Sequence, residues 1–224
     1  FAGFGTALVF VPLAAMVVSP VWTIVIMFVF DVFGPIPLLP RAWRDSEPRD
    51  IGLLGIGALI GLPCGIYFLT RIDPITFRWM VSGLSITMLA LLLSGWRYRN
   101  PLNAIMTSFI GCISGFMMGI AALPGPAVIL SYMTSARPAS VIRGNTMIYL
   151  FFVDIVAFLM FLTKGLLAAL PLVIGLLMVV PYTIAGLIGA RIFNPEKEHI
   201  YRRVAYVLIA GSAILGMPIW DLAH

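Results

Sequence analysis

Leu123-Pro124-Gly125-Pro126 stands in the middle of residues 100–136, a stretch without a charged side chain. A transmembrane helix needs about 20 apolar residues. The stretch is therefore too long for one span and too short for two full spans with a turn. The expected solution is a hairpin of two half-helices that meet near the bilayer midplane at the Pro-Gly-Pro break. Irregular backbone survives at that depth only where protein buries it or where it lines a cavity. The break is thus a candidate binding site.

Outward from this stretch the composition stays apolar. Of 224 residues, 61% are hydrophobic and 10% charged, with a mean hydropathy of +1.07. Soluble domains run at roughly 45–50% apolar and about 25% charged. Uncharged or nearly uncharged runs cover 1–30, 51–70, 79–96, 144–163, 165–190 and 204–220. They are continuous, whereas the strands of a membrane barrel alternate apolar and polar positions. The chain reads as an all-α polytopic membrane protein in a lipid bilayer.

Several function classes drop out. The net charge of +5 is spread over short loops, where membrane orientation places it, and gives no reason to expect nucleic acid. Cys64 and Cys112 lie in apolar runs without metal-ligand spacing, so neither metal nor cofactor is expected. His199 and His224 fall in a loop and at the terminus, and no span carries a Ser/His, Cys/His or HExxH arrangement. This argues against an enzyme. The opening Phe1-Ala2-Gly3-Phe4-Gly5 reads as truncated within a hydrophobic segment, without the basic start of a signal peptide.

Eight apolar segments are expected, at about 3–18, 20–39, 51–70, 76–96, 102–134, 138–163, 165–190 and 203–220. If 102–134 crossed the membrane once, the 14 Lys and Arg would divide almost evenly between the two sides. If it returns to its own side, eleven face three, with only Arg71, Arg78 and Lys164 on the poor side. Cytoplasmic loops carry the Lys/Arg excess, so the hairpin is favoured.

The two halves also resemble each other. Gly5-Thr6-Ala7-Leu8-Val9 pairs with Gly125-Pro126-Ala127-Val128-Ile129, Asp31 with Asp154, Gly65 with Gly186, and Phe77-Arg78 with Tyr201-Arg202. Residues 1–100 and 101–224 then form two repeats of one membrane domain, each a broken-helix hairpin plus three transmembrane helices. Three spans is an odd number, so the second repeat is inverted relative to the first, a common plan of secondary transporters with midplane binding.

Each hairpin begins its second half-helix near mid-membrane, at Thr6 and at Pro126. A helix start presents unpaired N–H groups and about half a positive charge. Two such starts approaching from opposite faces would hold an anion without a buried Lys or Arg. Gly3, Gly5 and Gly125 permit close backbone approach. Pro124 and Pro126 are tolerated where first-turn N–H groups have no partner, and Thr6 can cap its helix or donate to an anion. Gly and small residues also serve plain helix packing. Asn145 and Thr146 offer polar donors for a ligand or a neighbouring helix. Asp31 and Asp154 are the acidic residues inside predicted spans, where an ionisable group is costly and functional by default. They are assigned to proton coupling or gating, against the alternative of a hydrogen-bonded packing role.

At this point the chain resembles the sulfite exporter TauE/SafE family of membrane transporters. The resemblance rests on Gly3-Phe4-Gly5 running into Val11-Pro12, and on a second copy, Gly115-Phe116-Met117-Met118-Gly119 followed by Pro124-Gly125-Pro126. Pro63/Gly65 and Pro181/Gly186 in the third spans match too, as do the loops with Asp73-Pro74 and Asn194-Pro195. The family pattern usually has a second glycine where Thr6 stands, and Leu123-Pro124 interrupts the second copy. The resemblance implies export of small sulfur-containing or organic anions. The expected function is a secondary transporter of a small anionic substrate (sulfite, sulfonates or small carboxylates) in a prokaryotic inner membrane, compatible with a homodimer. An anion channel or a structural membrane subunit is the alternative.

Overall fold

The computed structural model describes residues 5–94, 103–132, 138–192 and 198–219. Among them the ordered elements are helical: α1 (Gly5–Ala14), α2 (Pro20–Phe33), a 3-10 turn (Ile36–Leu38), α3 (Leu39–Asp45), α4 (Pro48–Leu69), α5 (Pro74–Ser94), α6 (Ala104–Ala121), α7 (Gly125–Tyr132), α8 (Ala139–Thr163), α9 (Ala169–Ile192) and α10 (Glu198–Gly216). Six of the described helices are long and apolar enough to cross a membrane. The expected eighth segment, α10, is not one of the six, because Arg202 and Arg203 fall near its start. Prolines open the helices where donors have no partner anyway: Pro20, Pro48 and Pro74 begin α2, α4 and α5. Asp73 caps α5, its Oδ1 accepting the Thr76 N–H at 2.9 Å, and these hydrogen bonds hold its carboxyl below the ordinary value.

α4 and α6 run parallel and touch backbone to backbone. Gly111 lies against Leu54, Gly115 against Ala58 and Gly119 against Leu62, while Gly57, Gly61 and Gly65 of α4 meet Ser108, Cys112 and Phe116. At each of these contacts the nearest atom to an added Cβ is a carbonyl oxygen of the facing helix; on Gly119 it would stand 2.6 Å from the Leu62 oxygen. In lipid no hydrophobic force drives helices together, so close packing of small residues and Cα–H···O contacts do that work. The sequence placed these glycines in apolar runs; their role is this contact.

The chain returns to the end it left. α6 starts level with the first turn of α4, and its last turn lies beside Leu62 and Ile66. Beyond α7, Gly144 in α8 packs on Ala42 and Asp45, just ahead of α4, and Phe152 reaches Gly55. The outward-and-back path expected for residues 102–134 is therefore the observed one. Its arms differ from expectation: α6 has 18 residues, about 27 Å at 1.5 Å per residue, and is itself span-length. Only α7, with 8 residues, is short. The break also lies level with the last turn of α4, not its middle, because the glycine row carries α6 on to Gly119 before it stops.

Elsewhere, α9 follows α2 in the same direction, with Gly175 on Ile26 and Val29 and Tyr182 on Gly34. α2 runs against α8: Phe28 meets Phe161 edge to face at 5.1 Å, while α3 meets the first turns of α8. α1 and α10 run together, and Pro12 of α1 abuts Gly216. Pro12 cannot return a hydrogen bond to the Leu8 carbonyl, four residues back. That buried oxygen instead accepts Ser85 Oγ at 3.4 Å and Ser212 Oγ at 3.3 Å, as a freed carbonyl in a membrane interior requires.

Arg78, in the first turns of α5, is buried and closes the end of α10. Its Nε donates to the Gly216 carbonyl at 3.1 Å and an Nη to the Met217 carbonyl at 3.4 Å. α5 and α10 consequently run antiparallel. Arg78→Leu should destabilise the fold by about 1–3 kcal/mol, the usual cost of leaving buried acceptors unpaired. A lowered melting temperature in detergent is the readout.

Candidate functional site

The α6 helix ends by design of its local sequence. Ala122 adopts φ +53°, a left-handed conformation rare outside glycine, with its N–H bonded to Met118 O at 2.9 Å and the Leu123 N–H to Met117 O at 3.3 Å. Pro124 then bars αR geometry at Leu123, and a new helix starts at Gly125. Leu123, Pro124 and Gly125 are all buried. The Ser114 hydroxyl, one helix face away, donates to the Pro124 carbonyl at 2.6 Å. The break is thus enclosed in protein and its exposed carbonyl is satisfied.

Beside Ser114 lies the phenol of Tyr149, the largest fully buried side chain among the described residues. Its hydroxyl approaches Ser114 without completing a hydrogen bond. The same phenol is close enough to Asp154 to feel its charge, and Asp154 in turn feels Asp31. Asp154 is buried and Asp31 half-buried. The Tyr182 hydroxyl, carried by α9, interacts with both the Asp31 carboxyl and the Thr6 side chain at the start of α1. Its ring is fixed by Phe30 at 5.0 Å and by Gly34, where no side chain would fit.

Two polar groups result, Pro124 with Ser114 and Tyr149 at the break and Thr6 with Tyr182 and Asp31 at α1, and the buried Asp154 lies within electrostatic range of Tyr149 and Asp31. Five of the helices contribute. The structure therefore places Thr6 beside Tyr182 and Asp31, and Pro124 beside Ser114, with Asp154 in electrostatic range of Asp31. Gly5 has open space where its side chain would be, so packing does not require a glycine there. Gly3 lies outside the described residues, as does the side chain of Pro126.

Asn145 and Thr146 are committed elsewhere. The Asn145 Oδ1 accepts the Glu47 N–H at 2.6 Å and its Nδ2 donates to the Tyr132 hydroxyl at 3.2 Å. It ties α7 and α8 to the start of α4. Thr146 Oγ1 donates to the Ile142 carbonyl at 2.8 Å. The packing alternative describes both residues better than ligand contact does.

Tyr149, Tyr182 and Ser114 escaped the sequence reading. Their only signal was a hydroxyl within an apolar run, and that signal is shared by Ser82, Ser85, Tyr67 and others. Among the described residues no cluster of His, Cys, Asp and Glu could hold a metal ion.

The family model described as Sulfite exporter TauE/SafE matches residues 1–215 of the 224. No curated protein and no solved structure matches the chain.

Proposed function

The chain belongs to the sulfite exporter TauE/SafE family, whose members are membrane transporters and not enzymes, and from that premise we propose that it exports small oxyanions by a proton-coupled alternating-access cycle. Sulfite, sulfonates and small carboxylates are the substrate class, and the cell membrane of a prokaryote is the setting. The observation that carries the reading is the pair of carboxyls in the spans, Asp31 and Asp154, within electrostatic range of each other and flanked by the tyrosines beside the two short helices. Helix starts favour an anion. Two carboxylates beside that anion would repel it, and a proton delivered to Asp31 or Asp154 removes the repulsion. Anion and proton movement are thereby linked through one space.

Two inverted repeats, 1–100 and 101–224, frame the cycle. The counterpart helices α2 and α8 run antiparallel, as do α5 and α10. The parallel pairs α2/α9 and α4/α8 exchange under the same inversion. These directions support the repeat; because α4 of the first half and α6 of the second touch backbone to backbone, alternating exposure would come from the other helices moving against that pair.

The test is flux into proteoliposomes of purified protein, with labelled sulfite, methanesulfonate and acetate, with and without a pH gradient. Saturable flux that responds to the gradient is expected. Currents far above carrier turnover would make the protein a channel. Absence of flux with a co-purifying partner would make it a structural subunit.

A further inference from the structure

We propose that Tyr149 is a substrate-binding residue, its phenol donating to an oxygen of the oxyanion held at the start of α7; this rests on the anion reading above. Two independent observations meet here. The first is a shortage of donors at the helix start itself. Of the first-turn positions of α7, Pro126 has no N–H, which leaves Gly125 and Ala127 as the leading backbone donors of that turn. The Pro124 carbonyl that precedes them already accepts from Ser114. An oxyanion with two or three oxygens needs more donors than this turn supplies.

The second observation is the phenol. Tyr149 is 0% exposed, and its hydroxyl has no hydrogen-bond partner although it lies beside Ser114. Buried hydroxyls are almost always paired, and one left unpaired costs stability. A Phe would fill the same volume without that cost, so the hydroxyl is explained by a partner that arrives from outside the chain. Asp154, five residues on along the same helix, lies within electrostatic range of the phenol. Tyr132 and Cys112 are the other titratable groups near the phenol.

The experiment compares wild type, Tyr149→Phe and Ser82→Ala by thermal unfolding in detergent, titrated with sulfite, methanesulfonate, acetate and chloride. Ser82 carries the other unpaired buried hydroxyl, on α5. Without anion, Tyr149→Phe is expected to melt at or above the wild-type temperature, since no protein partner is lost. Its apparent affinity for sulfite and methanesulfonate should fall about tenfold or more, the worth of a hydrogen bond to a charged group. Ser82→Ala should respond to anions as wild type does. Wild-type anion affinity in Tyr149→Phe would overturn the assignment while leaving the transporter reading intact. A lower melting temperature without anion, or an equal affinity loss in Ser82→Ala, would also overturn it. If none of the oxyanions stabilises the wild type, the anion reading itself fails and Tyr149 falls with it.

Discussion

Gly61→Val is expected to be recovered unfolded or aggregated. A Cβ at this position would collide with the Cys112 carbonyl oxygen and approach the Phe116 nitrogen at 2.8 Å. Both atoms belong to the backbone of α6, so no side chain can rotate out of the way. Relief requires the two helices to separate along their length, and that breaks the neighbouring glycine contacts together. Overpacking a core costs about 1–3 kcal/mol where side chains can adjust; here the cost lies at the top of that range or above it. The control is Gly52→Ala on the same helix, where an added Cβ meets nothing within 4 Å. That change should be neutral or stabilising by up to about 1 kcal/mol, the helix preference for Ala over Gly. Size-exclusion profiles and melting temperatures of the two variants decide the matter. A Gly61→Val protein that melts with the wild type would mean that α4 and α6 do not touch as described.

Asp154→Asn is the second large effect, this time on function with the fold kept. The amide replaces the carboxyl at nearly constant volume and cannot exchange a proton. Under the proposed coupling, the flux component driven by a pH gradient should fall by about tenfold or more, a loss of about 1.4 kcal/mol or greater. Asp31→Asn should do the same, because Asp31 lies within electrostatic range of Asp154. Downhill anion flux without a gradient should survive in part. Liposome flux measured from pH 5 to 8 reads both quantities. An unchanged pH response in both variants would remove the carboxyls from the mechanism.

Much of the architecture was legible because the membrane imposes length and charge rules that a sequence displays directly. The segment boundaries at Pro20, Pro74 and Ala139 fall within a few residues of expectation, since prolines and charged loops mark them. The break at Leu123-Pro124 was visible for the same reason. The unequal arms of that hairpin were not. Both arms are apolar, and only the glycine row facing α4 reveals that the first continues to Ala121. In the candidate site, Asp31 and Asp154 announced themselves by their charge. Tyr182 and Tyr149 did not, because a phenol in an apolar run reads as one more aromatic until its neighbours are known. Asn145 was open to both a ligand and a neighbouring helix. Its amide was available for a ligand in the sequence and is occupied by Glu47 and Tyr132 in three dimensions.

The interleaved glycines of α4 and α6 also constrain how the molecule can move. Two helices locked through their main chains for three successive turns bend and tilt as one strut. The start of α7 hangs from the tip of that strut, so half of the proposed site is fixed to the stiffest part of the molecule. The other half depends on α9, which packs on α2 with Gly175 and Tyr182 among its contacts but leaves most of its surface bare toward the lipid. Displacement should therefore concentrate on the Thr6–Asp31 flank, with the strut as the stationary frame.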